Sequence, residues 1–154
     1  MRRATIVACG AACIGALVPA SGVLAQGGDR APLHANLSGA NELTENGERG
    51  AGDRNGVGAF SAVWRGNRLC YGLSVVNLDQ TVAAHIHSGR RNENGPVVVP
   101  LTQPANGRAS ASSGCVNVRR AIARAIRRSP ERFYVNVHTA AFQPGAIRGQ
   151  LEQH

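Results

Sequence analysis

The residues in this chain best suited to chemistry are three histidines carried on two short stretches. Ala83-Ala84-His85-Ile86-His87 alternates as a β-strand does, so His85 and His87 leave one face while Ile86 leaves the other. Positions i and i+2 of an extended chain stand roughly 6.5 to 7 Å apart at Cα, which lets two imidazoles converge on one ion at about 2 Å from each nitrogen. A later stretch, Phe133 to Thr139, alternates too: Phe133, Val135 and Val137 form an apolar face, and Tyr134, Asn136 and His138 the opposite one. If the two strands lie side by side, His85, His87 and His138 gather on one side, with Tyr134 and Asn136 around them. Three neutral imidazoles suit copper or zinc with a water in an open position, and the affinity order favours Cu(II) over Zn(II) when both are free. The same histidines suit a plainer task, hydrogen bonding to backbone and loop carbonyls so as to hold the polar loop Arg90 to Gly95 closed. Both readings stand on these residues. His34 and His154 have no comparable setting.

The elements that must position these residues read as short strands. Leu33 to Ser38 places Leu33, Ala35 and Leu37 on one side. Gly56 to Arg65 and Arg68 to Val76 form a hairpin about Gly66-Asn67, a two-residue turn that tolerates positive φ. Val97 to Leu101 follows the histidine loop, and Ala146 to Leu151 closes the chain behind a turn at Gln143-Pro144-Gly145. Gly39 to Asn55 is rich in Gly, Asn, Glu and Arg and reads as a long mobile surface loop. Thr102 to Gly114, rich in Gly, Ser and Asn, reads as another loop. Val118, Ile122 and Ile126 recur at i+4 behind Asn117, a good N-cap, with arginines on the other faces; they predict one amphipathic helix from Val118 to about Arg128, ended by Ser129-Pro130. Seven or so strands and one short helix predict an all-β domain, an antiparallel β-sandwich or flattened Greek-key barrel. P-loop, dinucleotide-binding and nucleophile-elbow motifs do not occur in the sequence.

Arg2-Arg3, the small apolar run Ala4 to Val18 and Val23-Leu24-Ala25 read as a signal peptide over residues 1–25, cut after Ala25, with a flexible leader over 26–32. The product is then secreted or periplasmic, with no stable membrane insertion after cleavage. About 129 residues remain, the size of one domain over 33–152. The chain carries 17 Lys and Arg, all of them Arg, against 9 Asp and Glu, a net +8 that falls to +6 when Arg2 and Arg3 leave. One Trp, two Tyr and three Phe are too few to stack bases, so nucleic acid is not an expected partner. Cys9 and Cys13 leave with the leader, and the remaining Cys70 and Cys115 predict one disulfide in an exported protein. Such a bridge restricts the unfolded chain by roughly 4 kcal/mol on the entropic account. A cysteine ligand pair lacks the CxxC spacing.

Five segments carry a resemblance. Leu37-Ser38-Gly39-Ala40-Asn41-Glu42, Ala83 to Gly89 (AAHIHSG), Asn94 to Val98 (NGPVV), Tyr134 to Thr139 (YVNVHT) and Pro144 to Leu151 (PGAIRGQL) together resemble the CHRD (chordin-type) domain, in order and through nearly the whole mature chain. The resemblance implies a secreted β-rich module with an extracellular protein partner; in chordin such domains belong to an antagonist of growth factors. Leu43-Thr44 stands where the common motif has an apolar residue followed by Pro-Pro. A second resemblance is chemically more pointed. His85-Ile86-His87, the later strand ending in Val137-His138, and Arg148 are similar, in the same chain order, to the copper-site His-x-His, third copper histidine and guiding arginine of Cu,Zn superoxide dismutases. No histidine in Arg90 to Pro100 stands where the bridging ligand belongs, and no zinc-site His/Asp set follows, so dismutase activity is not carried over.

Three functions follow as expectations: a binding module with a copper or zinc site at His85, His87 and His138; a metal-free module that engages a protein partner through Arg90 to Asn94 and the helix arginines; and a copper-dependent redox enzyme in which Arg148 steers an anion. Binding ranks above turnover.

Overall fold

The structure is a computed structural model that describes residues 31–153. The expected signal peptide and most of the expected leader lie outside those residues. Nine strands and one helix follow one another as β1 (Leu33–Ser38), β2 (Val57–Arg65), β3 (Arg68–Val76), β4 (Thr81–Ser88), β5 (Val97–Leu101), β6 (Ala109–Asn117), α1 (Arg120–Arg128), β7 (Phe133–Thr139), β8 (Ile147–Gln150) and β9 (Glu152–Gln153). The strands form one antiparallel sheet in the order β5-β4-β7-β8-β1-β2-β3-β6, with β9 pairing β1. The sheet curls until its edges nearly meet. Thr102, just past β5, bridges the seam: its N–H donates to the Tyr71 hydroxyl at 2.7 Å and its carbonyl accepts from Ser112 Oγ at 2.7 Å. The expected all-β class, a flattened barrel or sandwich with one short helix, is what the chain adopts.

Alternation decides which face each strand buries. Leu33, Ala35 and Leu37 of β1, Leu69, Leu73 and Val75 of β3, Ala84 and Ile86 of β4, and Val135 and Val137 of β7 all point inward and lose nearly all contact with solvent. Each large one contributes roughly 1.5–3 kcal/mol relative to an exposed position. Ala123 and Ile126 of α1 join the same core. The β2–β3 hairpin runs in unbroken register from Val57↔Val76 to Arg65↔Arg68, and Gly66 supplies φ +60° at its turn.

Three expectations are corrected. Residues 109–114 are not loop but most of β6, which pairs with β3 from Arg68↔Asn117 to Val76↔Ala109. Its Ala/Ser/Gly side chains carry little strand propensity or alternation, and the continuous ladder with β3 overrides both. The helix begins at Arg120 rather than Val118, because Asn117 stays in that ladder and the Val118 N–H donates to the Asn67 carbonyl; Arg119, with no side-chain cap, takes the N-cap position. The segment Gly39 to Asn55 is packed rather than loose. A 3-10 turn at Gly39–Asn41 opens it, the Asp53 N–H donates to the Ala146 carbonyl at 2.8 Å, and Glu42 and Leu43 are buried. Gly39 lies so close to the Asp53 backbone that a Cβ there would collide with it, so the glycine content serves close packing.

The cysteines stand directly opposite each other on β3 and β6, and Cys70 and Cys115 form the expected disulfide.

Candidate metal centre

The site grows from the pairing of β4 with β7. Their register sets His87 opposite Tyr134, His85 opposite Asn136 and Ala83 opposite His138, so His138 lies one diagonal step from His85. Ile86, Val135 and Val137 leave the same strands toward the core. The other face of these strands and of β8 carries a polar layer: Tyr134, Asn136 and Arg148 are only 2–3% exposed there, with the histidines partly open beside them. All three expected histidines are brought together. One ligand nitrogen from each lies within 4.8 Å of the other two, and the ring centroids are 5.2 Å (His85–His138), 5.7 Å (His85–His87) and 6.3 Å (His87–His138) apart.

Loop carbonyls orient two of the rings. His87 Nδ1 meets the Gly95 carbonyl at 2.9 Å, and His138 Nδ1 meets the Gln143 carbonyl at 2.7 Å. A carbonyl only accepts, so each Nδ1 carries the proton and each Nε2 keeps its lone pair, the arrangement by which outer groups usually fix a metal-binding imidazole. His87 Nε2 is buried with no hydrogen-bond partner among the described residues. His138 Nε2 instead faces His85 Nδ1 at 3.2 Å. At metal–nitrogen bonds of about 2.0–2.1 Å, two nitrogens 3.2 Å apart subtend roughly 100° at a shared ion, close to a tetrahedral angle. The widest separation, 4.8 Å, exceeds the roughly 3.4 Å of a tetrahedral pair, so closing on an ion needs imidazole movement of over about 1 Å.

The electrostatics favour the neutral form of His85 and His87. Burial lowers the pKa of His85 and His87 from the ordinary 6.5; His138 adds to the effect at His85, while at His87 the Gly95 carbonyl opposes it. Neutral imidazole is the form that binds a metal.

Behind His87 stands a stack. The Tyr134 ring lies nearly parallel to it, with centroids 4.8 Å apart and 10° between planes, and the Arg148 guanidinium sits 3.4 Å from the Tyr134 centroid on a cation–π contact. The Tyr134 hydroxyl accepts from the Gly95 N–H at 3.3 Å. Arg148 donates to Asn94 Oδ1 at 3.1 Å, to the Arg90 carbonyl at 3.3 Å and to the Glu93 carbonyl. One guanidinium thus ties down the loop that ends in the carbonyl holding His87. At 2% exposure it has little surface to offer an approaching anion.

Glu42 was not picked out as a site residue from the sequence. Its carboxylate accepts from the Leu43 N–H at 3.0 Å and from Asn136 Nδ2 at 2.5 Å. Burial raises its pKa from the ordinary 4.5, against the pull of the Leu43 N–H, Arg148 and Asn136. The Asn136 amide therefore engages Glu42, whose carboxyl group also interacts electrostatically with the buried Arg148. Asn94 was missed as well: its Nδ2 donates to the Thr44 carbonyl at 2.9 Å and joins the two covering segments. The available signal was their membership in the quoted motifs, since neither residue follows any periodicity.

The sequence profile of the CHRD domain matches residues 33–151. The chain belongs to the CHRD family. No curated protein and no solved structure matches it. In this CHRD domain the matched span holds β1 to β8, α1, both bridged cysteines and every residue of the histidine cluster and its polar layer. The fold and its intramolecular disulfide fit an oxidising extracellular setting. Among the described residues, no helix is long and apolar enough to cross a membrane.

Proposed function

We propose that this CHRD domain is an exported binding module that holds one copper ion through His85, His87 and His138. The observation that carries the reading is the orphaned His87 Nε2, a buried acceptor beside two other imidazole nitrogens, with its tautomer fixed from behind by Gly95. Leaving such an atom unpaired costs about 1–3 kcal/mol, and an ion would recover it. The donor set also fits zinc; copper is preferred because imidazole sites bind Cu(II) more tightly. Tyr134 and Arg148 brace His87 and its loop, and Asn136 with Glu42 completes the layer behind them. Burial of Arg148 supports binding over superoxide chemistry.

The metal-free reading draws on the hydrogen bonds of His87 and His138 to Gly95 and Gln143, which close two loops without any ion. One titration separates the two. Purified untagged protein should take up one Cu(II) per chain, with His87→Ala or His138→Ala weakening uptake far more than His34→Ala. Equal affinity of the wild type and a triple His85, His87, His138 alanine variant would leave the histidines as loop fasteners alone.

A further inference from the structure

A second site lies beyond the histidine cluster. A cavity of about 530 Å³ opens between the loop after β4 and the C-terminal end of α1. Arg90 enters it from the loop, Arg128 from the last residue of α1, and Arg132 from the turn at Pro130–Arg132. Phe133, Pro96 and Ala125 line it with apolar surface.

Four other arginines are already engaged. Arg127 donates to the Gly66 carbonyl and stacks on Trp64, Arg49 donates to Asn41, Arg91 pairs with Glu152, and Arg148 is fully engaged. The guanidiniums of Arg90, Arg128 and Arg132 have no acceptor among the described residues, and all three are exposed. The one acid lining the cavity, Glu93, already accepts from the Arg90 backbone N–H at 3.0 Å. Three like charges around one concavity repel one another, and the cleft focuses their field. An incoming carboxylate relieves that repulsion, and the planar guanidinium fork binds carboxylates in a bidentate way.

We propose that this groove docks an acidic peptide segment of a protein partner, with carboxylates on the three arginines and an apolar side chain between them against Phe133, Pro96 and Ala125. The apolar lining favours a peptide over a sulfated glycan, which has no side chain to seat there. The site is independent of the copper reading, since neither Arg128 nor Arg132 touches the histidine cluster.

The test is fluorescence anisotropy with a labelled Glu-Glu-Leu-Glu-Glu peptide and its all-Gln counterpart, on the full chain. The acidic peptide should bind at least tenfold more tightly than the Gln peptide and weaken several-fold between 50 and 300 mM salt, as exposed charge pairs do. The double variant Arg128→Glu, Arg132→Glu should lose at least tenfold in affinity while keeping its circular dichroism and its Cu(II) uptake. Equal binding of the two peptides, unchanged binding by the double variant, or binding of a heparin hexasaccharide in place of the peptide would each overturn the proposal.

Discussion

Replacing Arg148 by Lys keeps the charge and removes the fork, and so separates a clamp from an electrostatic guide. The guanidinium makes three hydrogen bonds to the loop after β4, to Asn94 Oδ1 and to the carbonyls of Arg90 and Glu93, and its carbon sits 3.4 Å from the Tyr134 ring centroid. A lysine ammonium on a single stem can replace about one of those bonds and offers no plane to stack. Hydrogen bonds involving a charged group contribute about 1.5–3 kcal/mol each, so losing two from a buried site gives an expected destabilisation of about 3–6 kcal/mol. The freed loop then holds Gly95, and through it His87, less firmly. Outer groups of this kind typically alter metal affinity by about 10–100-fold. Urea unfolding of the metal-free protein reads the first number, and Cu(II) competition against a chromogenic chelator reads the second. If the Lys variant unfolds at the wild-type urea midpoint and binds Cu(II) within about threefold of wild type, Arg148 acts through its charge and the clamp reasoning fails.

Copper affinity should decline as pH falls below about 6, because protonated imidazole cannot coordinate; competition titrations from pH 8 to 5 that show no change would contradict this. Metal-free stability should fall over the same window. The folded pKa of His85 and of His87 lies below 6.5, so the unfolded chain takes up protons first as the pH drops through 6.5 toward the lowered values. Intact mass under nonreducing conditions should be two hydrogens lighter than the all-thiol chain, and reduction should lower stability by roughly 4 kcal/mol; an unchanged urea midpoint after reduction would refute the entropic account. Copper-loaded protein should dismutate superoxide no faster than free copper, and a rate well above it that drops in Arg148→Ala and at high salt would make Arg148 a guiding residue after all.

The sequence made legible what alternation encodes. β1 and β3 begin and end where their apolar faces do, and the pairing of β4 with β7 follows from two strands that each need to bury one face. That single pairing makes the histidine cluster, so His85, His87 and His138 were legible from the alternation of the two strands. What escaped was set by long-range backbone contacts. β6 has almost no side-chain signal, yet it completes the sheet because β3 presents an open ladder. Glu42 escaped for a different reason. A buried carboxyl group in a Gly-rich, polar stretch is disfavoured by every local rule, and Asn136, the Leu43 N–H and Arg148 offset only part of its desolvation.

The cluster has an asymmetry that a purely structural role does not require. A histidine that merely fastens a loop needs one nitrogen on a carbonyl and the other in water. His138 and His87 both have the first. At His87 the second is missing: Nε2 is buried without a partner among the described residues, and the Tyr134 ring that stacks on the imidazole is itself covered by Arg148. Burying that nitrogen is unfavourable in the metal-free protein, while the Gly95 carbonyl on Nδ1 fixes the tautomer that leaves its lone pair free. An ion drawn to that lone pair would offset the cost of burying it, but with the three ligand nitrogens spread over as much as 4.8 Å the rings would still have to close by over about 1 Å, so the polar layer orients His87 without completing a metal geometry.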